Sequence, residues 1–152
     1  MRGRDRDVPG SPAGVTVHGG MLRLETPGHG EVVDITPGVR QVVETAGVQR
    51  GVVTVFVVGS TAAISTMEYE PGGVADLSAL LERLIPTRGD YEHNRLNHDS
   101  NSYAHQRATL IGPSESIPLV DGRLSLGTWQ QIVLLDFDDR PRQRTVTVQV
   151  VC

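Results

Sequence analysis

The stretch Asp90 to His105, DYEHNRLNHDSNSYAH, holds three histidines, three asparagines and two aspartates, with almost nothing that seeks a core. Residues of these types support two kinds of chemistry. Neutral imidazoles beside a carboxylate can hold a divalent cation, which makes His93, Asp99 and His105 a candidate metal set. The spacing of the histidines, H-x4-H-x6-H, fits no zinc-finger pattern. The same imidazoles could instead move protons, with Asn94 and Asn101 orienting a ligand through donors and acceptors. Arg95 and Arg107 would then meet phosphate oxygens with forked guanidinium contacts. The plain alternative is a solvated turn, for which DSNS is a good sequence, and His98 is read that way. Tyr91 and Tyr103 anchor the segment, which is expected to be an ordered, irregular loop.

Three further places could contribute. Gly59-Ser60-Thr61 interrupts two apolar strands and could present backbone N–H groups and hydroxyls to an anion; a strand corner is the simpler role. Glu68, in TMEYE, is a candidate general base or metal ligand if it lies at a pocket floor. Trp129 and Gln130, in GTWQQ, could line a pocket. His93, Asn94, Asp99, Asn101 and His105 are expected to converge with Gly59-Ser60-Thr61, because these are the two polar interruptions of apolar structure. His105 closes the loop and directly precedes QRATLIG, read as a strand that holds the imidazole at its first turn.

The elements that must position these groups are legible from pattern. MLRLETP and EVVDI read as strands. TPGVRQVVETAG reads as a helix with Thr36 as its N-cap, Pro37 at the first position and Gly47 at the exit. VVTVFVV is a continuous β-branched run suited to a strand buried on both faces, and AAISTMEYE follows as another. Pro71-Gly72-Gly73 is expected to break the chain before the helix VADLSALLERLI, whose Val74, Leu77, Leu81 and Leu84 recur at helical spacing. RATLIG, SIPLV, RLSLG, TWQQIVLLDFDD and TVTVQVV read as strands, with Asp121-Gly122 a type I′ hairpin turn and RPRQR a turn. About eight strands and two helices, without regular alternation, predict a mostly antiparallel α+β fold or a β-sandwich carrying two helices.

The chain has 152 residues and a net charge of −4. That predicts one domain, residues 15–152, after a flexible tail over residues 1–14. It argues against a basic nucleic-acid-binding face. No apolar run is long enough to span a membrane and no apolar leader opens the chain, so a cytoplasmic location is expected. All 14 basic residues are arginine; lysine-dependent Schiff-base and P-loop chemistry is excluded. Cys152, the single cysteine, is a poor nucleophile at a chain end.

GSTAAISTMEYEPG, GDYEHN, the D-x-N-x3-H of Asp99, Asn101 and His105, LIGPS, and PLVDGRLSLGTWQQIVLLDFD resemble, in this order, the YjbQ family, over about Leu22 to Val151. The resemblance implies an α+β fold built around a β-sandwich and assembled as a homotrimer. The runs VVTVFVV and IVLLDF then suggest a sheet packed on both faces, one partly through that trimer interface. It also implies a polar pocket holding His93, Asn94, Asp99, Asn101 and His105, and weak thiamine-phosphate synthase activity. That reaction joins a pyrimidine diphosphate to a thiazole phosphate with loss of pyrophosphate. The cofactor is open, with magnesium or zinc the candidates. This chain departs from the family where many members carry a histidine followed by two threonines; here Gly59, Ser60 and Thr61 stand. One imidazole is therefore missing, while glycine frees the backbone to approach a ligand. Two functions follow: an enzyme acting on a phosphorylated small molecule, or a non-catalytic trimer holding a metal or anion. A structural trimer with a vestigial site is a third.

Overall fold

A computed structural model describes residues 14–152; all of the expected tail but Gly14 lies outside them. Eight strands run β1 Val17–Thr26, β2 Glu31–Asp34, β3 Arg50–Val58, β4 Ala62–Met67, β5 Ser114–Val120, β6 Arg123–Leu124, β7 Gln131–Asp136 and β8 Arg142–Val151. Four helices run α1 Thr36–Ala46, α2 Pro71–Leu84, α3 Glu92–Asn97 and α4 Ser102–Ile111. One sheet has the order β1-β8-β3-β5-β6 and the other β2-β7-β4. Every strand pair is antiparallel.

The three-stranded sheet is the middle layer. Ile132 and Leu134 of β7 face the five-stranded sheet and α1, while Val133 and Leu135 face α2 and α4. The apolar run of β7 is thus buried on both sides, each such side chain worth roughly 1.5–3 kcal/mol. The matching expectation for β3 fails within this chain. Val53, Val55 and Val57 are buried, but Val52, Phe56 and Val58 are 42–55% exposed. Among the described residues, no helix or sheet covers these outer-face side chains of the larger sheet.

Several local signals carry through. Asp121 and Gly122 both have positive φ, 49° and 71°, as a type I′ turn requires, and Val120 pairs with Arg123 across it. Gly47 ends α1 in the left-handed region. Val146, Val148 and Val150 alternate into the core.

Others do not. Thr36 is the first residue of α1 rather than its cap; its hydroxyl accepts the Ile132 N–H at 2.8 Å and ties the helix to β7. Pro71-Gly72-Gly73 forms the first turn of α2 instead of breaking the chain. The Glu70 carboxylate accepts the N–H groups of Gly72 and Gly73, where a negative charge complements the helix dipole. The expected strand at TWQQIVLLDFDD shrinks to Gln131–Asp136, and RLSLG pairs only at Arg123–Leu124. Arg142 already belongs to β8, not to the turn.

The largest correction concerns the polar stretch. It folds as two short helices, so the fold carries four rather than two, and RATLIG is the second half of α4 rather than a strand. Ser102, Tyr103, Ala104, Arg107 and Ala108 are buried, with Tyr103–Arg107 and Ala104–Ala108 at i,i+4 spacing on one face. The helical period is present but written in small and polar residues, so hydrophobicity hides it.

Of the segments that cross between the sheets, three, at 27–30, 59–61 and 137–141, lie together. They meet at one end of the sandwich: the Gly30 N–H bonds to the Asp136 carbonyl at 2.8 Å, the His29 N–H to the Asp138 carbonyl at 2.7 Å, and the Phe137 N–H to the Thr61 carbonyl at 2.9 Å. Gly28 is required at this junction. Its φ is +75°, and a Cβ there would lie 2.5 Å from the Asp138 carbonyl oxygen.

Candidate functional site

The junction is stapled by buried charge. Asp136 and Arg144, both buried, form a two-point pair: Arg144 Nε donates to Asp136 Oδ2 at 2.7 Å and Nη2 to Asp136 Oδ1 at 2.6 Å. Arg144 Nη2 also donates to the Thr61 hydroxyl at 2.8 Å, and that hydroxyl donates to Asp138 Oδ2 at 2.9 Å. Arg142 Nε donates to the same Asp138 oxygen at 2.7 Å, and the Thr26 hydroxyl donates to Asp136. Burial pushes the Asp138 carboxyl up. The bonds from Arg142, Thr61 and the Asp139 N–H pull it down further, leaving it well below the usual carboxylate range. Sequence reading missed this network. Its signal is DFDDRPRQR, with Asp136/Asp138 and Arg142/Arg144 each two apart and opposite charges on the two sides of one crossing.

Beside the junction lie α3 and α4. The rings of His93 and His105 touch, with centroids 4.8 Å apart and planes at 57°. Asn94 Oδ1 accepts the Ser102 N–H at 3.0 Å, capping α4 from α3. This frees Asn101, at the N-cap position of α4, from any side-chain capping bond. Asn101 is buried, and its Oδ1 has no partner among the described residues; neither has the buried His93 Nε2. His105 sits within the first turns of α4, not before a strand. It lines a shallow pocket of about 200 Å³ with Gly59, Ser60, Ala108, Thr109 and Pro113. The loop between the two helices is tied back to the junction, Ser100 donating to Asp139 and Arg140 Nη2 lying 3.9 Å from Asp99.

The structure thus puts His105 against His93 on one side and Gly59-Ser60 on the other. Thr61 is adjacent, but its hydroxyl is fully committed to Arg144 and Asp138. Other residues singled out from sequence are placed elsewhere. Arg95 is exposed and paired with Asp90 at 2.7 Å and with Glu92. Arg107 is buried, bonds to the Ile85 carbonyl and Glu82 at 2.7 Å, and lies over the Tyr103 ring. It fastens α4 to the end of α2. The Tyr103 phenol is pushed up by burial first, then by the nearby Asp139 carboxylate. Trp129 is 70% exposed, and Gln130 bonds to Thr66 and Gly127. These two and Glu68 lie at the Met67–Gln131 end of the β4–β7 pair, opposite the Ala62–Asp136 end that carries the junction. Five residues of strand put about 17 Å between the ends. His98 is exposed and ends α3 in the left-handed conformation, a turn role.

A metal set of His93, Asp99 and His105 is not assembled. Among the described residues, no three of His, Cys, Asp and Glu stand close enough to hold an ion. Asp99 is engaged with the Ser100 N–H at 2.8 Å. A metal held by three such side chains does not fit the described residues.

The family model described as UPF0047 protein YjbQ-like matches residues 20–152. A UPF0047 protein of Archaeoglobus fulgidus is 41% identical over 130 residues, 86% of this chain and 98% of the relative. One of Methanothermobacter thermautotrophicus is 38% identical, covering 85% and 88%. A crystal structure of a YbjQ-like protein of unknown function from Sulfolobus solfataricus superposes with a TM-score of 0.86 at 33% identity, covering 91% of this chain and 99% of the other. A hypothetical protein from Aeropyrum pernix gives 0.81 at 36%, covering 87% and 96%. No helix among the described residues is long and apolar enough to cross a membrane.

Proposed function

We propose that this chain, which belongs to the UPF0047 YjbQ-like family, binds a phosphorylated small molecule at the pocket of Gly59, Ser60 and His105, beside His93 and Asn101. The observation that carries this reading is the pair of buried polar atoms without partners, His93 Nε2 and Asn101 Oδ1. Each such orphan costs about 1–3 kcal/mol, and a ligand that hydrogen-bonds both removes the penalty. The imidazoles can donate to phosphate oxygens or carry a proton, and exposed Ser60 supplies a hydroxyl. The reaction to test is weak condensation of a pyrimidine diphosphate with a thiazole phosphate, with His105 as the proton carrier. The alternative, a non-catalytic binding protein, is favoured by one observation: the candidate base Glu68 lies at the far end of the sheet.

The test is calorimetric titration with each phosphorylated precursor, followed by a product assay on the same preparation. His105→Ala should weaken binding about tenfold or more, on the order of 1.4 kcal/mol, with the melting temperature little changed. Unchanged affinity with a lowered melting temperature overturns the placement of His105 in the site. Binding without turnover leaves the non-catalytic reading.

We also propose a cytoplasmic homotrimer. Support for self-association comes from Val52, Phe56 and Val58, apolar and exposed on the outer sheet face, a pattern that marks association surfaces. A monomer in sedimentation equilibrium at micromolar concentration overturns the trimer.

A further inference from the structure

Arg144 is a buried guanidinium with one end unused. Nε and Nη2 are locked by Asp136 and Thr61. Nη1 donates to none of the described residues. It points at Gly59: a Cβ built there would lie 2.9 Å from Nη1. Gly59 also has φ +130°, a conformation that side chains rarely adopt. Glycine at this corner therefore lets Nη1 lie against the backbone, and the same residue lines the pocket with His105. The N–H groups of Gly59 and Ser60 bond to no backbone carbonyl of the described residues. A guanidinium held along one edge by a carboxylate presents its remaining donors in a fixed direction, which suits an oxyanion.

We propose that Arg144 is an anion-binding residue of this pocket, reaching the ligand through the gap at Gly59. The inference rests on the binding reading above and narrows its ligand. One end of the molecule is a phosphate or similar oxyanion, held by Arg144 Nη1 and the Gly59-Ser60 N–H groups. The other end carries a hydroxyl or amine that donates to Asn101 Oδ1. Asp136 is the positioning residue that sets the guanidinium plane. Thr61 acts with it, by holding Nη2 rather than by touching the ligand.

The experiment titrates the whole protein with inorganic phosphate. Calorimetry gives the affinity. Nitrogen-15 NMR follows the Arg144 side-chain N–H signals, assigned through their contacts with Thr61 and Gly59, alongside the His93 and His105 ring signals. Phosphate should shift the Arg144 signals together with those of His105. Gly59→Ala, which places a methyl against Nη1, should weaken phosphate about tenfold or more, the loss of one charge-assisted bond. Binding that shifts the histidines but not Arg144, at an affinity unchanged in Gly59→Ala, overturns the Arg144 assignment and leaves the pocket standing. No saturable phosphate binding overturns both. If Gly59→Ala does not fold, the wild-type Arg144 shift alone decides.

Discussion

Two polar clusters sit side by side at the same end of the molecule and are built on opposite terms. In the junction, Asp136, Asp138, Thr61, Arg142 and Arg144 satisfy one another within a few hydrogen bonds of 2.6–2.9 Å. In the neighbouring helices, His93 and Asn101 each leave a buried atom unpaired. A buried network that is complete rigidifies a fold; one that is incomplete has a place kept for something else. The paired charges join three crossings between the sheets, and the two polar atoms left unpaired among the described residues lie beside them. Arg144 alone spans both, with two nitrogens committed to the junction and the third turned to Gly59.

The contrast is broken most forcefully at Asp136. Asp136→Ala strands the Arg144 charge in a buried site, and removing one partner of such a pair costs roughly 3–5 kcal/mol. The midpoint of denaturant unfolding should fall accordingly; a loss under about 1 kcal/mol would mean the junction does not hold the crossings together. Acid probes the same cluster more gently. The Asp138 carboxyl lies below its ordinary value in the folded state, so its ionised form is bound more tightly in the folded chain than in the unfolded one. That contribution is complete above about pH 4, the ordinary carboxyl value. It shrinks as the pH falls below that and vanishes once the pH passes through the lower folded value. Stability measured from about pH 7 to about pH 2 should decline less steeply in Asp138→Asn than in the wild type. Equal slopes would remove Asp138 from the acid response.

The smallest expected effect sharpens the comparison from outside. Arg95 was a phosphate candidate by type and position, yet it lies exposed between two carboxylates. Arg95→Ala should leave the midpoint of denaturant unfolding close to that of the wild type, because exposed ion pairs add little stability, and leave phosphate affinity unaltered. A tenfold loss of affinity would return Arg95 to the cleft.

Much of the scaffold was legible because its causes are local. The Asp121-Gly122 turn, the Gly47 exit of α1, the alternation of β8 and the double-sided apolar run of β7 depend on neighbours a few residues away. The residues of the candidate pocket were legible too, since His93, Asn101 and His105 are unusual types crowded into one segment and Gly59-Ser60 is a polar break between apolar strands; Arg144 was not. Their secondary structure was not: α4 buries Ser, Tyr, Ala and Arg rather than aliphatic residues, so its period does not register as hydrophobic.

The sequence by itself determined that the chain forms a largely antiparallel α+β domain with a histidine- and asparagine-rich segment, because strand period, turn chemistry and residue type act over short distances. Only the tertiary structure decided which charges are spoken for. Thr61 meets Asp138 across 77 positions, and Arg144 meets Thr61 across 83. Such partnerships follow from strand register and from where three crossings converge. So does the difference between Arg107, which fastens a helix, Arg95, which faces water, and Arg144, which turns one nitrogen to Gly59: identical side chains are separated only by the partners that the fold brings to them.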